Sequence, residues 1–193
     1  SKEKPMKLLF CGRFVPKKGL ILLIKAISKV INNNYLIDLN IVGFGPQENL
    51  AKDLVSKLSL KKNVNFLGKL KQKEFIQQCY NNHIFIAPSQ TDISNGETEG
   101  GAPTVILEAL ATGMPVIASN HADIPNIVTN RKSGLIFQES NIDNLYNVII
   151  EMYNMRDNWS EMGAYGRKFV EKKHDLDIIS LKLEQLYDLA IGS

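Results

Sequence analysis

Short apolar runs that alternate with stretches of helical periodicity restrict the folds open to this chain more than any other feature. Lys7 to Cys11 and Ile84 to Ala87 carry no polar alternation, and neither is long enough for a helix. Such runs read as strands buried on both faces, the environment of a parallel sheet covered by helices. Leu36 to Val42, Val64 to Leu67, Val116 to Ser119 and Leu135 to Phe137 are the further strands expected. Between them Leu20, Leu23, Ile24, Ile27, Val30 and Ile31 recur at helical spacing, as do Leu50, Leu54, Val55 and Leu58. Further helices are expected over Phe75 to Tyr80, Pro103 to Thr112 with Gly113 as its cap, and Ile124 to Val128. Pro46 is expected in the first turn of the second helix.

After Phe137 only helical patterns remain: one through Leu145, Val148, Ile149, Met152 and Tyr153, one over Trp159 to Val170, and one through Ile179, Leu183, Leu186 and Leu189. The order implies an α/β fold, a doubly wound, parallel, Rossmann-like sheet of about six strands with helices on both faces and a helical C-terminal tail. The tail either belongs to the same domain or packs across to a neighbour. At 193 residues the chain is long enough for one domain with a substantial core.

A net charge of +3 is too small to argue for nucleic acid, and lysines such as Lys57, Lys61, Lys62, Lys172 and Lys173 read as solvated helix faces or ends. Cys11 and Cys79 lack C-x-x-C spacing and stand in apolar contexts, as buried free thiols of a reducing cytosol would. No apolar run approaches the ~20 residues that span a bilayer, and the first residues lack the apolar stretch of a signal peptide. Membrane insertion is therefore not expected. His83, His121 and His174 are isolated, without metal-ligand spacing, so no metal is expected.

The strongest local signal is Glu99-Gly100-Gly101-Ala102-Pro103-Thr104-Val105-Ile106-Leu107-Glu108. Two glycines permit close approach of backbone to a ligand, and a helix opening at Pro103 offers free amides and a positive dipole end to an anion. Glu108 lies one turn beyond Thr104 on the same helix face, within reach of hydroxyls on a ligand whose phosphates rest above it. Its apolar neighbours imply a largely buried helix, in which an ionised Glu needs a partner. A second constellation, Gly12-Arg13-Phe14-Val15-Pro16-Lys17-Lys18-Gly19, joins a strand end to a helix start. Arg13 and Lys18 can both turn into the crevice there and neutralise a diphosphate, or stand in a solvated loop. Gly43-Phe44-Gly45-Pro46 lacks the third glycine of a dinucleotide fingerprint and reads as a turn.

In order, Gly12-Arg13 with Lys18-Gly19, Val42 to Pro46, Val64 to Gly68, Pro88-Ser89, Glu99-Gly100 to Glu108-Ala109, and Gly113 to Ser119 resemble the C-terminal, donor-binding domain of the GT-B retaining glycosyltransferases of family four. The resemblance runs from residue 6 to about residue 190, so residues 1–193 are expected to form one nucleotide-sugar-binding domain, the N-terminal acceptor domain being absent. It implies that Arg13 and Lys18 hold the donor diphosphate, with Gly12 beside them. Glu108 would bind ribose, while Glu99 with Gly100, Gly101, Ala102, Pro103, Thr104 and Val105 would meet the transferred sugar. Main chain near Phe66, Leu67 and Gly68 would meet the nucleobase.

The implied reaction moves a hexosyl group from a nucleoside diphosphate sugar to a glycan or lipid-linked acceptor with retention, without metal or other cofactor. The setting is cytoplasmic, at the inner membrane face through the absent domain, and this chain alone should not turn over. The family places seven residues between its two glutamates where eight lie between Glu99 and Glu108, so either Glu99 or Glu97 can take the sugar role. No role is carried onto His121 to Asn126, which departs from the family pattern. A non-catalytic binding module and a sugar-nucleotide epimerase are the alternatives.

Overall fold

The computed structural model describes residues 4–191. Its strands are β1 (Met6–Cys11), β2 (Ile37–Val42), β3 (Val64–Gly68), β4 (Ile84–Ala87), β5 (Val116–Ser119) and β6 (Gly134–Phe137). They form one sheet in the order β3-β2-β1-β4-β5-β6, every neighbouring pair parallel. The helices are α1 (Leu20–Asn32), α2 (Glu48–Lys57), α3 (Gln72–Asn81), α4 (Thr104–Ala111), α5 (Ile124–Ile127), α6 (Ile142–Asn154), α7 (Trp159–Lys173) and α8 (Leu176–Ile191).

Why the apolar runs lack alternation is plain from the layers. All four residues of β4 and of β5 are buried. Successive side chains on β1 point to opposite faces, as the pleat requires. Leu8 and Phe10 join Leu23, Ile27 and Ile149 in one core, whereas Leu9 joins Phe75, Phe85, Ile106, Leu110 and Ile124 in the other. Helices α1, α2 and α6 cover the first face and α3, α4 and α5 the second, while α7 reaches both, with Met162 in the first core and Phe169 and Val170 against the second. The chain builds β1, β2 and β3 outward in one direction, then returns to lay β4 on the other side of β1. That reversal opens a crevice beyond the carboxyl ends of β1 and β4, where open α/β sheets take their ligands.

Four local expectations need correction. Pro46 belongs to a turn ahead of α2, which starts only at Glu48, and Pro103 caps α4 instead of opening it. Helix α4 is apolar by sequence yet only partly sunk in the core. Ile106, Ala109 and Leu110 are buried, Val105, Leu107 and Glu108 half-buried, and Thr104 and Ala111 exposed. Cys11 is likewise only half-buried, in contrast to Cys79.

The tail divides. Helices α6 and α7 pack on the sheet domain through Leu145, Ile149, Met152 and Met162, whereas α8 has no buried residue. Leu183, Leu186, Tyr187 and Leu189 of α8 are all exposed.

Candidate active site

The loop after β1 carries Gly12, Arg13, Lys17 and Lys18 along the crevice. Gly19 sets its end: its φ is +68°, and a Cβ there would stand 1.9 Å from the Pro88 carbonyl oxygen. Only glycine lets α1 start this close to the end of β4. The same closeness brings Lys18 opposite the loop that follows β4. A second glycine contact braces the other side, where a Cβ on Gly43 (φ +131°) would meet the Gly12 carbonyl oxygen at 1.9 Å. The Gly43-Phe44-Gly45 turn is thus a backbone-on-backbone support for the first loop.

Lys18 Nζ lies 2.6 Å from Glu99 Oε1, and both side chains are mostly buried, 19% and 10% exposed. Ser89 Oγ donates to the same carboxylate at 3.0 Å. Glu97, the other candidate for the sugar role, points outward at 54% exposure and pairs with Lys17 at 2.6 Å. That hydrogen bond, with the Lys17 charge behind it, holds the Glu97 carboxyl below the ordinary range. The geometry therefore brings Glu99, and not Glu97, to Lys18. Arg13 is exposed beside a recess of about 130 Å³ that Cys11, Gly12, Val42, Phe44 and Leu70 also line.

Helix α4 starts at Thr104 behind Pro103 with no side-chain cap; Ile106 N–H donates to the Pro103 carbonyl oxygen at 3.0 Å, while the Thr104 and Val105 amides stand ahead of the helix's own ladder at its positive dipole end. Gly100 and Gly101 have no atom crowding a would-be Cβ closer than 3.9 Å, and neither has a positive φ. Nothing within the free fold demands glycine there, which fits a need for room beside a bound group. One turn into α4, Glu108 Oε1 accepts a hydrogen bond from Gln72 Nε2 at 3.1 Å. Gln72, the first residue of α3, is the partner that the half-buried carboxylate needs, and nothing in its spacing announced it.

Cys11 reports how close these charges lie. Burial pushes its thiol up to about 11, the Glu108 carboxylate adds to the rise, and Lys18 opposes it. A thiol so raised stays protonated at neutral pH and is no nucleophile. Cys79 is pushed further, to about 12, chiefly by burial.

Of the residues assigned to the nucleobase, Gly68 accepts the Gly43 N–H on its carbonyl oxygen at 2.8 Å, and Phe66 packs edge-on against Phe14 with ring centroids 6.2 Å apart. Leu67 packs partly buried in the second core. The side chains of Phe66 and Leu67 are thus structural, and only main chain at this strand end is left to meet a ligand.

His121 is not isolated, contrary to expectation. Its Nε2 accepts the Glu99 backbone N–H at 3.1 Å while Nδ1 meets the Glu139 carboxylate. Glu139 is 18 residues away, so no local spacing could reveal the pair. The available signal was a run of polar residues, Ser119-Asn120-His121, directly at the carboxyl end of a buried strand. Among the described residues no group of three or more His, Cys, Asp or Glu is arranged to hold a metal ion.

The family model described as "Glycosyl transferases group 1" matches residues 1–169. The GDP-mannose-dependent monoacylated alpha-(1-6)-phosphatidylinositol monomannoside mannosyltransferase of Corynebacterium glutamicum is 35% identical over 175 residues, which cover 91% of this chain and 45% of that protein. Anabaena HepE, solved in complex with UDP-glucose, superposes with a TM-score of 0.82 at 18% identity over 95% of this chain and 49% of its own. The C-terminal domain of a glycosyl transferase group 1 family protein from Francisella tularensis superposes at 0.76 with 18% identity, covering 91% and 90% of the two chains. The chain spans about half the length of the curated relatives it matches.

Proposed function

The chain belongs to the glycosyl transferases group 1 family, and on that premise we propose that it is the donor-binding half of a retaining hexosyltransferase. The observation that carries this reading is the Lys18–Glu99 pair at the strand-order reversal, on the loop that leads into the uncapped start of α4. The diphosphate of a nucleoside diphosphate sugar rests on Lys18, Arg13 and the first amides of α4. Charge that develops on the departing diphosphate is met there by a mobile ammonium, a planar guanidinium and a helix dipole already in place. No added metal is required for that role. Glu108 exchanges Gln72 for the ribose hydroxyls, and Glu99 with the open Gly100-Gly101 backbone faces the sugar.

In the free protein the Glu99 carboxylate stands on Lys18 as a surrogate for the phosphate. Arrival of the donor transfers Lys18 to the diphosphate and frees Glu99 for sugar hydroxyls. The reading takes the path without a protein nucleophile, in which the acceptor oxygen attacks on the face from which the diphosphate leaves. The acceptor, a glycan or lipid-linked hydroxyl, is held by a partner domain, and the apolar side chains exposed on α8 suit its seat. The relative from Corynebacterium makes GDP-mannose the first donor to try. The enzyme would work in the cytoplasm.

A thermal-shift screen of the chain against UDP, GDP, ADP and their sugars tests the reading. A ligand at 100 times its Kd stabilises by about 2.7 kcal/mol, so one nucleotide should raise the melting temperature clearly, and Lys18→Ala should remove most of that rise. No shift with any of them, or an equal shift in Lys18→Ala, would contradict it.

A further inference from the structure

We propose that His121, anchored by Glu139, is a positioning residue that sets the Glu99 backbone and through it the sugar-facing end of the donor site; this rests on the donor-binding reading above. His121 is 4% exposed. A peptide N–H can only donate, so the bond from Glu99 N at 3.1 Å requires a lone pair on Nε2. The ring proton then sits on Nδ1, where it is donated to the Glu139 carboxylate. Glu139 is fixed in turn, because its backbone N–H donates to Asn120 Oδ1 at 2.8 Å and its second oxygen accepts from Thr91 Oγ1 at 3.3 Å.

The polar chain therefore runs from the ends of β5 and β6 to one amide of the loop between β4 and α4. It ends at the residue whose side chain meets Lys18 and Ser89. Ser89 is itself held, since Ser119 Oγ donates to its carbonyl oxygen at 2.5 Å. Beside His121 the loop borders a cleft of about 470 Å³ lined by Thr91, Thr98, Asn120 and Glu139, and on that side hydrogen bonds hold it. Lys17 holds the outer arm through Glu97 and the Thr98 carbonyl oxygen. His121 alone among these side chains binds the Glu99 amide. Without it Glu99 keeps its carboxylate but loses its fixed aim.

The test compares wild type with His121→Ala, His121→Gln and Glu139→Gln, using calorimetry with GDP and GDP-mannose and, in parallel, UDP and UDP-glucose. The readout is the ratio of Kd for the plain diphosphate to Kd for its sugar. In His121→Ala that ratio should fall by about tenfold, while affinity for the plain diphosphate stays the same or tightens as Lys18 is loosened from Glu99. The Gln side chain can accept the Glu99 N–H through Oε1 and donate to Glu139 through Nε2, so His121→Gln should restore most of the ratio. Glu139→Gln, which keeps the imidazole, should lower it less than His121→Ala and serves if the alanine variant does not fold. An unchanged ratio in His121→Ala and Glu139→Gln, or equal weakening of both ligands in every variant, overturns the proposal. If wild type binds none of these four, nor ADP nor ADP-glucose, the donor reading fails on its own. Amide exchange in the free chain then decides: faster exchange at Glu99 in His121→Ala and not in His121→Gln supports positioning, and equal exchange in both overturns it.

Discussion

Replacing Glu99 by Gln should tighten binding of the plain nucleoside diphosphate, the opposite of what loss of a binding-site residue usually does. In the free protein Lys18 is committed to Glu99 at 2.6 Å in a site where both side chains are mostly buried. A phosphate can reach Lys18 only by sharing the ammonium with that carboxylate or displacing it. Two anions on one ammonium stand about 5 Å apart, and at an effective dielectric of about 20 they repel by about 3 kcal/mol. Rotation of the Glu99 side chain toward the open Gly100-Gly101 side relieves roughly half, leaving about 1.5 kcal/mol, or slightly more than tenfold in Kd.

Glu99→Gln keeps the shape and the acceptor for Ser89 Oγ, removes the repulsion, and leaves Lys18 waiting for an anion. Calorimetry with whichever of GDP, UDP or ADP binds should show about a tenfold lower Kd. The free variant should melt lower than wild type, because a mostly buried ammonium has lost its counterion. Equal or weaker affinity for the plain diphosphate would refute the idea that Glu99 occupies the phosphate's place.

Two other perturbations separate binding from folding. Glu108→Gln should cost roughly 1.5 kcal/mol of nucleotide affinity, the low end for bonds to a charged group because Gln72 must first be displaced. It should cost nothing against the 2′,3′-dideoxyribose form; an equal loss for both ligands would return Glu108 to a structural role. Gly19→Ala must abandon a φ of +68° or push Pro88 away, a strain of about 2–3 kcal/mol that should lower the melting temperature by at least about 5 °C. A melting temperature within a degree of wild type would contradict the close approach of α1 to β4.

The sheet was legible because burial on both faces writes itself as unbroken apolar runs; β4 and β5 fall at the residues expected. Helix α4 was misjudged because apolar composition reports what a helix can bury, not what is laid over it. Its half-buried side carries Val105, Leu107 and Glu108. The first loop and the two glutamates stood out in the sequence as candidate ligand contacts by residue type, Glu99 on the loop after β4 and Glu108 within α4. Which of Glu97 and Glu99 meets Lys18 was not legible, since alternate residues on an irregular loop have no period. It is set by His121 and Ser89, which reach Glu99 from 22 and 10 residues away. For the same reason Gln72 and Glu139 stayed invisible, because each meets its partner only when separate strand ends converge.

The central claim is that a nucleoside diphosphate lies across the crevice between β1 and β4, and amide chemical-shift mapping tests it most directly. The isotope-labelled chain is titrated with the nucleotide that stabilises it most. The account predicts the largest shifts at Gly12 to Gly19, at Gly100 to Val105 and at Leu67 to Leu70, with the amides of β6 and α7 nearly still. Saturable shifts centred on α7 or α8, with the Gly12 to Gly19 and Gly100 to Val105 amides unmoved, would contradict it.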